Sequence, residues 1–250
     1  MKPLLTLALL ASAVPTPALA QGATRSFAVA DFDRIDLRGC DHVVVTFGAR
    51  FAVRAQGQAG SLAAIGVAVR GRVLTLLRAP GSCDSRRNKP AATINVTLPR
   101  LAVIQTSGTG SVRIAALDTP TFEARMRGTG ALAIDGLRTT RATIDVSGTG
   151  TATLRGVRAA RLSLDLSGTG RIVADGRADA LAIDASGTGQ VDTSTLATGA
   201  LSVDASGTGS VRAQVNGPAT IDASGIARVT VTGRPQCAVS RSGMARVTCG

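Results

Sequence analysis

Ser107-Gly-Thr-Gly110 is a tetrapeptide with two chemical possibilities. Its hydroxyls could serve as nucleophiles, and its glycines could bare backbone N–H groups to a phosphate. It recurs unchanged from Ser147, Ser167, Ser186 and Ser206, and in altered form as Arg127-Gly-Thr-Gly130, Ser224-Gly-Ile-Ala227 and Ser242-Gly-Met-Ala245. One active site needs one such element, so repeated copies read as a structural corner rather than as a reactive centre. Two residues before the corner serines stand Asp145, Asp165, Asp184, Asp204 and Asp222. Such carboxylates could ligate a hard cation such as Ca²⁺, or do acid–base work on a polysaccharide. Both roles need groups that converge, usually from long loops walling a cleft, and the even spacing leaves no spare chain for one. The acids are therefore read as a solvated column, with a metal on Asp145, Asp165, Asp184 and Asp204 as the secondary reading.

Arginines repeat as well. Arg138, Arg158 and Arg177 share one position of the repeat, and Arg141 and Arg161 another. They are expected to form a basic patch apart from the acids. Guanidinium groups pair bidentately with phosphate and carboxylate, so the patch suits an anionic envelope polymer such as lipopolysaccharide or an acidic glycan. His42 precedes a Val-Val-Val run with no serine or aspartate constellation evident around it, and a structural role is expected. No cofactor is implied.

The elements that carry these residues follow from the interval. Successive corners lie 20, 20, 20, 19, 20, 18 and 18 residues apart, a period that marks a solenoid. Before each corner the chain alternates polar and apolar, as in Thr143-Ile-Asp-Val-Ser147 and Ser163-Leu-Asp-Leu-Ser167. Period two is that of a strand with one buried face. A second alternation follows the corner, as in Gly110-Ser-Val-Arg-Ile114. Short strands and tight turns within about 20 residues make one coil of an all-β parallel β-helix, stacked so that Ile144, Leu164, Ile183, Val203 and Ile221 form one internal column. Glycines fit the corners because a reversal in two or three residues often needs positive φ. Residues 101–250 carry the regular coils. Residues 21–100 lack the repeat and are expected to form a β-rich N-terminal cap and irregular first coils, with strands at Phe27–Ala30, Ile35–Leu37, His42–Thr46, Phe51–Ala55 and Val73–Leu77. One domain, 21–250, is expected.

Residues 1–20 read as a signal peptide: Lys2 near the start, an apolar run over 4–14, and small residues at Ala18 and Ala20 before Gln21. The run is too short to span a bilayer, which takes about 20 residues, so export to periplasm or cell surface is expected, with no transmembrane segment in the mature chain. Four cysteines, Cys40, Cys83, Cys237 and Cys249, suit an oxidising compartment. They allow three pairings; the one expected is Cys40–Cys83 in the cap and Cys237–Cys249 in the last coil. Net charge is +12, with 28 basic against 16 acidic residues, which favours anionic partners. The absence of Trp and Tyr removes the stacking platforms on which single-stranded nucleic acid depends, so nucleic acid is not an expected partner. Homo-oligomerisation is left open.

Three segments together carry a family resemblance: Asp31-Phe-Asp-Arg-Ile35, Gly39-Cys-Asp-His-Val-Val-Val-Thr-Phe-Gly48, and Leu98-Pro-Arg-Leu101 running into Ser107-Gly-Thr-Gly110. Over about residues 27–250 the chain resembles the bacterial proteins named putative auto-transporter adhesin, head GIN domain. The resemblance implies a right-handed parallel β-helix exported to the envelope, and it brings no catalytic residues with it. No autotransporter barrel is expected after Gly250. The resulting expectation is a non-catalytic, adhesin-like protein that binds or scaffolds an envelope component. The alternative is a degenerate polysaccharide-acting β-helix enzyme.

Overall fold

The computed structural model describes residues 22–79, 81–83 and 90–250; the expected signal peptide lies outside the described residues. The chain forms a β-solenoid of about 7 turns with roughly 20-residue coils, and 70% of it is strand. Each regular coil is nearly one bent strand. β12 (Ala131–Val146), β13 (Thr151–Leu166), β14 (Arg171–Ala185), β15 (Gln190–Ala205), β16 (Ser210–Ala223) and β17 (Arg228–Arg241) stack in parallel. The alternation seen in the sequence becomes the burial pattern. Ile144, Leu164, Ile183, Val203 and Ile221 pair in register down the axis and are buried, while the residues between them face outward. A lone coil cannot bury that inner face, so stability lies in the stack.

The shortened repeats do not disturb the corners. The residue lost between β13 and β14 is absorbed at a register shift between Leu154 and Val157, and later shifts fall between Thr193 and Ala197 and between Thr198 and Leu201. All lie away from the Ser-Gly-Thr-Gly corner, so the strand that precedes it stays aligned from coil to coil.

The expectation of positive φ holds at the corner glycines Gly108, Gly128, Gly207, Gly225 and Gly243 and fails at the three corners between Gly128 and Gly207. Gly148, Gly168 and Gly187 do not have positive φ; what excludes a side chain is that a Cβ there would overlap the carbonyl oxygen of the equivalent glycine one coil below. That closeness lets the corner continue the hydrogen-bonded ladder. The Thr169 N–H donates to Gly148 O at 3.1 Å, and the Thr188 N–H donates to Gly168 O at 3.1 Å.

The N-terminal third combines a first coil with a cap. Regular stacking does not begin at residue 101. β2 (Arg34–Gly39) and β3 (His42–Phe47) form a first coil in parallel register with β8 (Val103–Gly108) and β9 (Ser111–Ile114). Gly39-Cys-Asp41 is its corner: the Gly110 N–H donates to Gly39 O at 2.8 Å, and the Ser111 N–H donates to Asp41 O at 3.1 Å. It was hidden because Cys and Asp replace the repeat's Thr and Gly. The chain then leaves the stack for some fifty residues before returning. Its excursion covers the open end with β4 (Ala52–Gly57), β5 (Ile65–Arg70), β6 (Val73–Arg78) and β7 (Thr93–Leu98), where β6 and β7 add in parallel and β4 and β5 add antiparallel outside them. β1 (Ala23–Phe27) pairs antiparallel with β4. Four of the expected cap strands are present with ends shifted by a few residues; the one expected at Phe27–Ala30 is not, since β1 ends at Phe27 and 28–30 are outside any strand, and β5, β7 and the short helix α1 (Ala59–Ala63) are additional. Antiparallel outer strands and a helix end the stack without leaving a long parallel edge open to pairing.

Candidate functional site

The repeat sets the geometry of every candidate site, because residues one coil apart sit about 4.8 Å apart along the axis. Asp145, Asp165, Asp184, Asp204 and Asp222 are consecutive register partners on the strand before the corner. They form a ladder. Among the described residues no three His, Cys, Asp or Glu side chains group so as to hold a metal ion. Burial, opposed in part by a hydrogen bond from the Ser163 hydroxyl, pushes the Asp165 carboxyl above its ordinary value, and the neighbouring Asp184 and Asp145 charges push it further in the same direction.

Arg138, Arg158 and Arg177 are likewise consecutive partners, at the bend of the coil that follows Gly136, Gly156 and Gly176. The bend lacks side chains at those glycines, and two shallow depressions result. One of about 690 Å³ lies against Arg158, Arg177 and Asp179, and one of about 260 Å³ lies against Asp118, Arg138 and Arg158. Asp118 Oδ2 stands 3.9 Å from Arg138 Nε, both side chains well exposed. Among the described residues, Arg158 and Arg177 have no carboxylate within ion-pair distance. The bend thus presents a short row of guanidinium groups over an open, side-chain-poor surface.

Arg141 and Arg161 also stack in register, but not apart from the acids. They point outward from the same strands that carry Asp145 and Asp165, four residues away, with Thr143 and Ser163 between. Residues i, i+2 and i+4 line one sheet face, so basic, hydroxyl and acidic columns run side by side. The sequence reading separated them because it counted positions from the corner rather than faces.

Two contacts escaped the sequence altogether. His42 Nδ1 lies 2.7 Å from Ser111 Oγ, a partner brought in by stacking across 69 residues. In the first corner, the Arg78 Nε–H donates to both Asp41 oxygens at 3.0 and 2.8 Å, and the salt bridge is 1% and 2% exposed on its two side chains. Asp41 Oδ1 also accepts the Ala92 N–H at 2.8 Å, and an Arg78 terminal N–H donates to Pro90 O at 3.0 Å. With the Cys40–Cys83 disulfide beside it, this network ties the first corner to the cap. The second disulfide joins Cys237 to Cys249 in the last coils, as expected.

A parallel solenoid with short corners, a capped N-terminal end and charged columns is the class that the fold defines. The chain belongs to the family described as "Putative auto-transporter adhesin, head GIN domain", whose model matches residues 31–235. No curated protein sequence matches it significantly. Among solved structures it is similar to a "putative lipid binding protein" from Parabacteroides distasonis, with TM-score 0.80 at 16% identity over 93% of this chain and 98% of the other. A "putative adhesin" from Bacteroides fragilis gives TM-score 0.71 at 21% identity over 92% and 97%. Another "putative adhesin" from P. distasonis gives 0.74 at 15% identity over 91% and 97%. At these identities the likeness is one of fold.

Proposed function

We propose that this protein is an exported, non-catalytic solenoid that binds or scaffolds an anionic polymer of the cell envelope, lipopolysaccharide or an acidic glycan, along the column Arg138, Arg158 and Arg177. The observation that carries this reading is the register: three arginines on successive coils, two of them without a carboxylate partner, above a bend kept open by glycines. A polymer with regularly placed phosphates or carboxylates can meet such a row at several points at once. The net charge of +12 attracts it from a distance. A leader over residues 1–20 and two disulfides fit an oxidising compartment outside the cytoplasm. The family's adhesin description supports the same reading.

Catalysis is the less favoured alternative. Coils of near-constant length over 101–250 raise no wall over the sheet faces, and the acids stand in a ladder rather than as a facing pair. The direct test is a binding screen against lipopolysaccharides and acidic and neutral glycans at two salt concentrations. The reading expects retention of the anionic polymers that weakens as salt rises. Equal retention of neutral glycans, or turnover of any of them, would contradict it.

A further inference from the structure

The sheet face that carries the acids also holds a groove that the polymer reading does not use. Its outer column runs Arg141, Arg161, Ala180, Ala200, Pro218 on successive coils, and the column two residues along runs Thr143, Ser163, Ala182, Ser202, Thr220. Where arginine gives way to alanine the surface sinks. The groove between the columns is about 470 Å³, within the range of small-ligand sites. It crosses five coils, about 19 Å at the spacing of stacked strands. Its lining is mostly apolar, contains no carboxylate among the described residues, and has guanidinium groups at one end only. Arg141 and Arg161 have no ion-pair partner among the described residues.

We infer that this groove binds a single acyl chain of an anionic lipid, with the head group on Arg141 and Arg161 and the chain lying over Ala180, Ala182 and Ala200. Each part of the ligand answers a feature of the groove. A cation at one end of a trough selects a molecule charged at one end. Small apolar side chains along the rest reward methylene groups, at about 0.8 kcal/mol for each one fully buried. The Asp145–Asp165–Asp184–Asp204–Asp222 ladder runs along the whole far side of the Thr143 column and repels an anionic head, a repulsion that guanidinium groups offset only at the Arg141 and Arg161 end. A sugar ring finds no aromatic face in the lining. A second copy of this chain would bring another +12 against the same surface. The inference does not rest on the polymer reading: none of Arg138, Arg158 and Arg177 lines the groove.

The test is equilibrium dialysis of radiolabelled palmitate at submicellar concentration, with palmitoyl glycerol as the same chain on a neutral head. The expectation is saturable binding at one site, with palmitate held more tightly than palmitoyl glycerol. Filling the trough with Ala182→Phe, at an exposed position, should weaken both ligands about tenfold or more, equivalent to about two lost methylenes. Arg141→Gln with Arg161→Gln should weaken palmitate and leave palmitoyl glycerol unchanged. Arg138→Gln, Arg158→Gln and Arg177→Gln together should leave palmitate binding intact even if they abolish polymer binding. Palmitate binding that is absent, that ignores both groove changes, or that falls only with the Arg138 set would overturn the inference. Thermal melts of each variant identify any that fail to fold, and Ala200→Phe then replaces Ala182→Phe.

Discussion

Two carboxylates show how much a residue's stacked surroundings decide. Asp41 is sealed with Arg78 and has no solvent to fall back on. Removing one partner of a buried pair leaves the other uncompensated, which costs about 3–5 kcal/mol. Asp41→Ala should therefore lower unfolding free energy by about that amount in urea titration; an effect within the range of ordinary surface substitutions would show that the pair is not closed. Asp165 is the opposite case. Its folded-state carboxyl is raised above the ordinary 3.8, first by burial and then by Asp184 and Asp145. The unfolded chain gives up that proton first, so the folded state loses stability as pH rises through the window between the two values and carries the full penalty above it. Asp165→Asn should leave stability unchanged below about pH 3.8 and raise it at pH 7. A variant less stable than the parent at pH 7, with the difference abolished by a chelator, would mean that the ladder holds a cation. The sequence showed the column but not the burial, because the depth of Asp165 is set by its neighbours on adjoining coils. Asp41 was invisible for the same reason: Arg78 is 37 residues away and belongs to no repeat.

The corner and the last coil are the elements on which the stack depends. The spacing of the corners was plain in the sequence, and so was the strand before each of them, because period two and period twenty reinforce one another. The cause of the glycines was legible only in part. Sequence suggests backbone conformation, which holds at Gly108, Gly128 and Gly207, whereas Gly148, Gly168 and Gly187 show crowding between successive corners alone. Gly168→Ala puts a methyl against the Gly148 carbonyl, and overpacking of this kind costs typically about 1–3 kcal/mol. The melting temperature should fall accordingly; an unchanged value would mean that the corners open freely. At the other end, β18 (Arg246–Cys249) pairs with β17 alone. The Cys237–Cys249 bond closes a separation of 12 residues, worth roughly 3 kcal/mol in the chain-entropy model. Cys237→Ser with Cys249→Ser should speed amide exchange selectively over 228–249. Uniform acceleration along the whole chain would show that the solenoid unfolds as a single unit and the bond is not a local clamp. The corner of the first coil was not legible for a related reason. Gly39-Cys-Asp41 keeps the backbone of the repeat and almost none of its side chains.

At the scale of the molecule, the solenoid converts sequence repetition into surface columns: an acidic one, a row of hydroxyls and two basic ones. Periodicity alone placed the arginines in register. It did not show that Arg141 and Arg161 share a face with the acids while Arg138, Arg158 and Arg177 stand at the bend. That assignment depends on where the coil turns. The bend column is the centre of the functional account, and a salt titration of lipopolysaccharide binding on three proteins tests it most directly. They are the parent, a form with Arg138→Gln, Arg158→Gln and Arg177→Gln, and a form with the exposed cap residues Arg50→Gln, Arg54→Gln and Arg70→Gln. Both triple variants lose the same formal charge, so long-range attraction, screened over about 8 Å at physiological ionic strength, falls comparably in the two. The account predicts that the bend variant loses markedly more affinity than the cap variant and that its residual binding depends less on salt. Equal losses in the two variants would contradict it, leaving only an unspecific attraction of the basic molecule for anions.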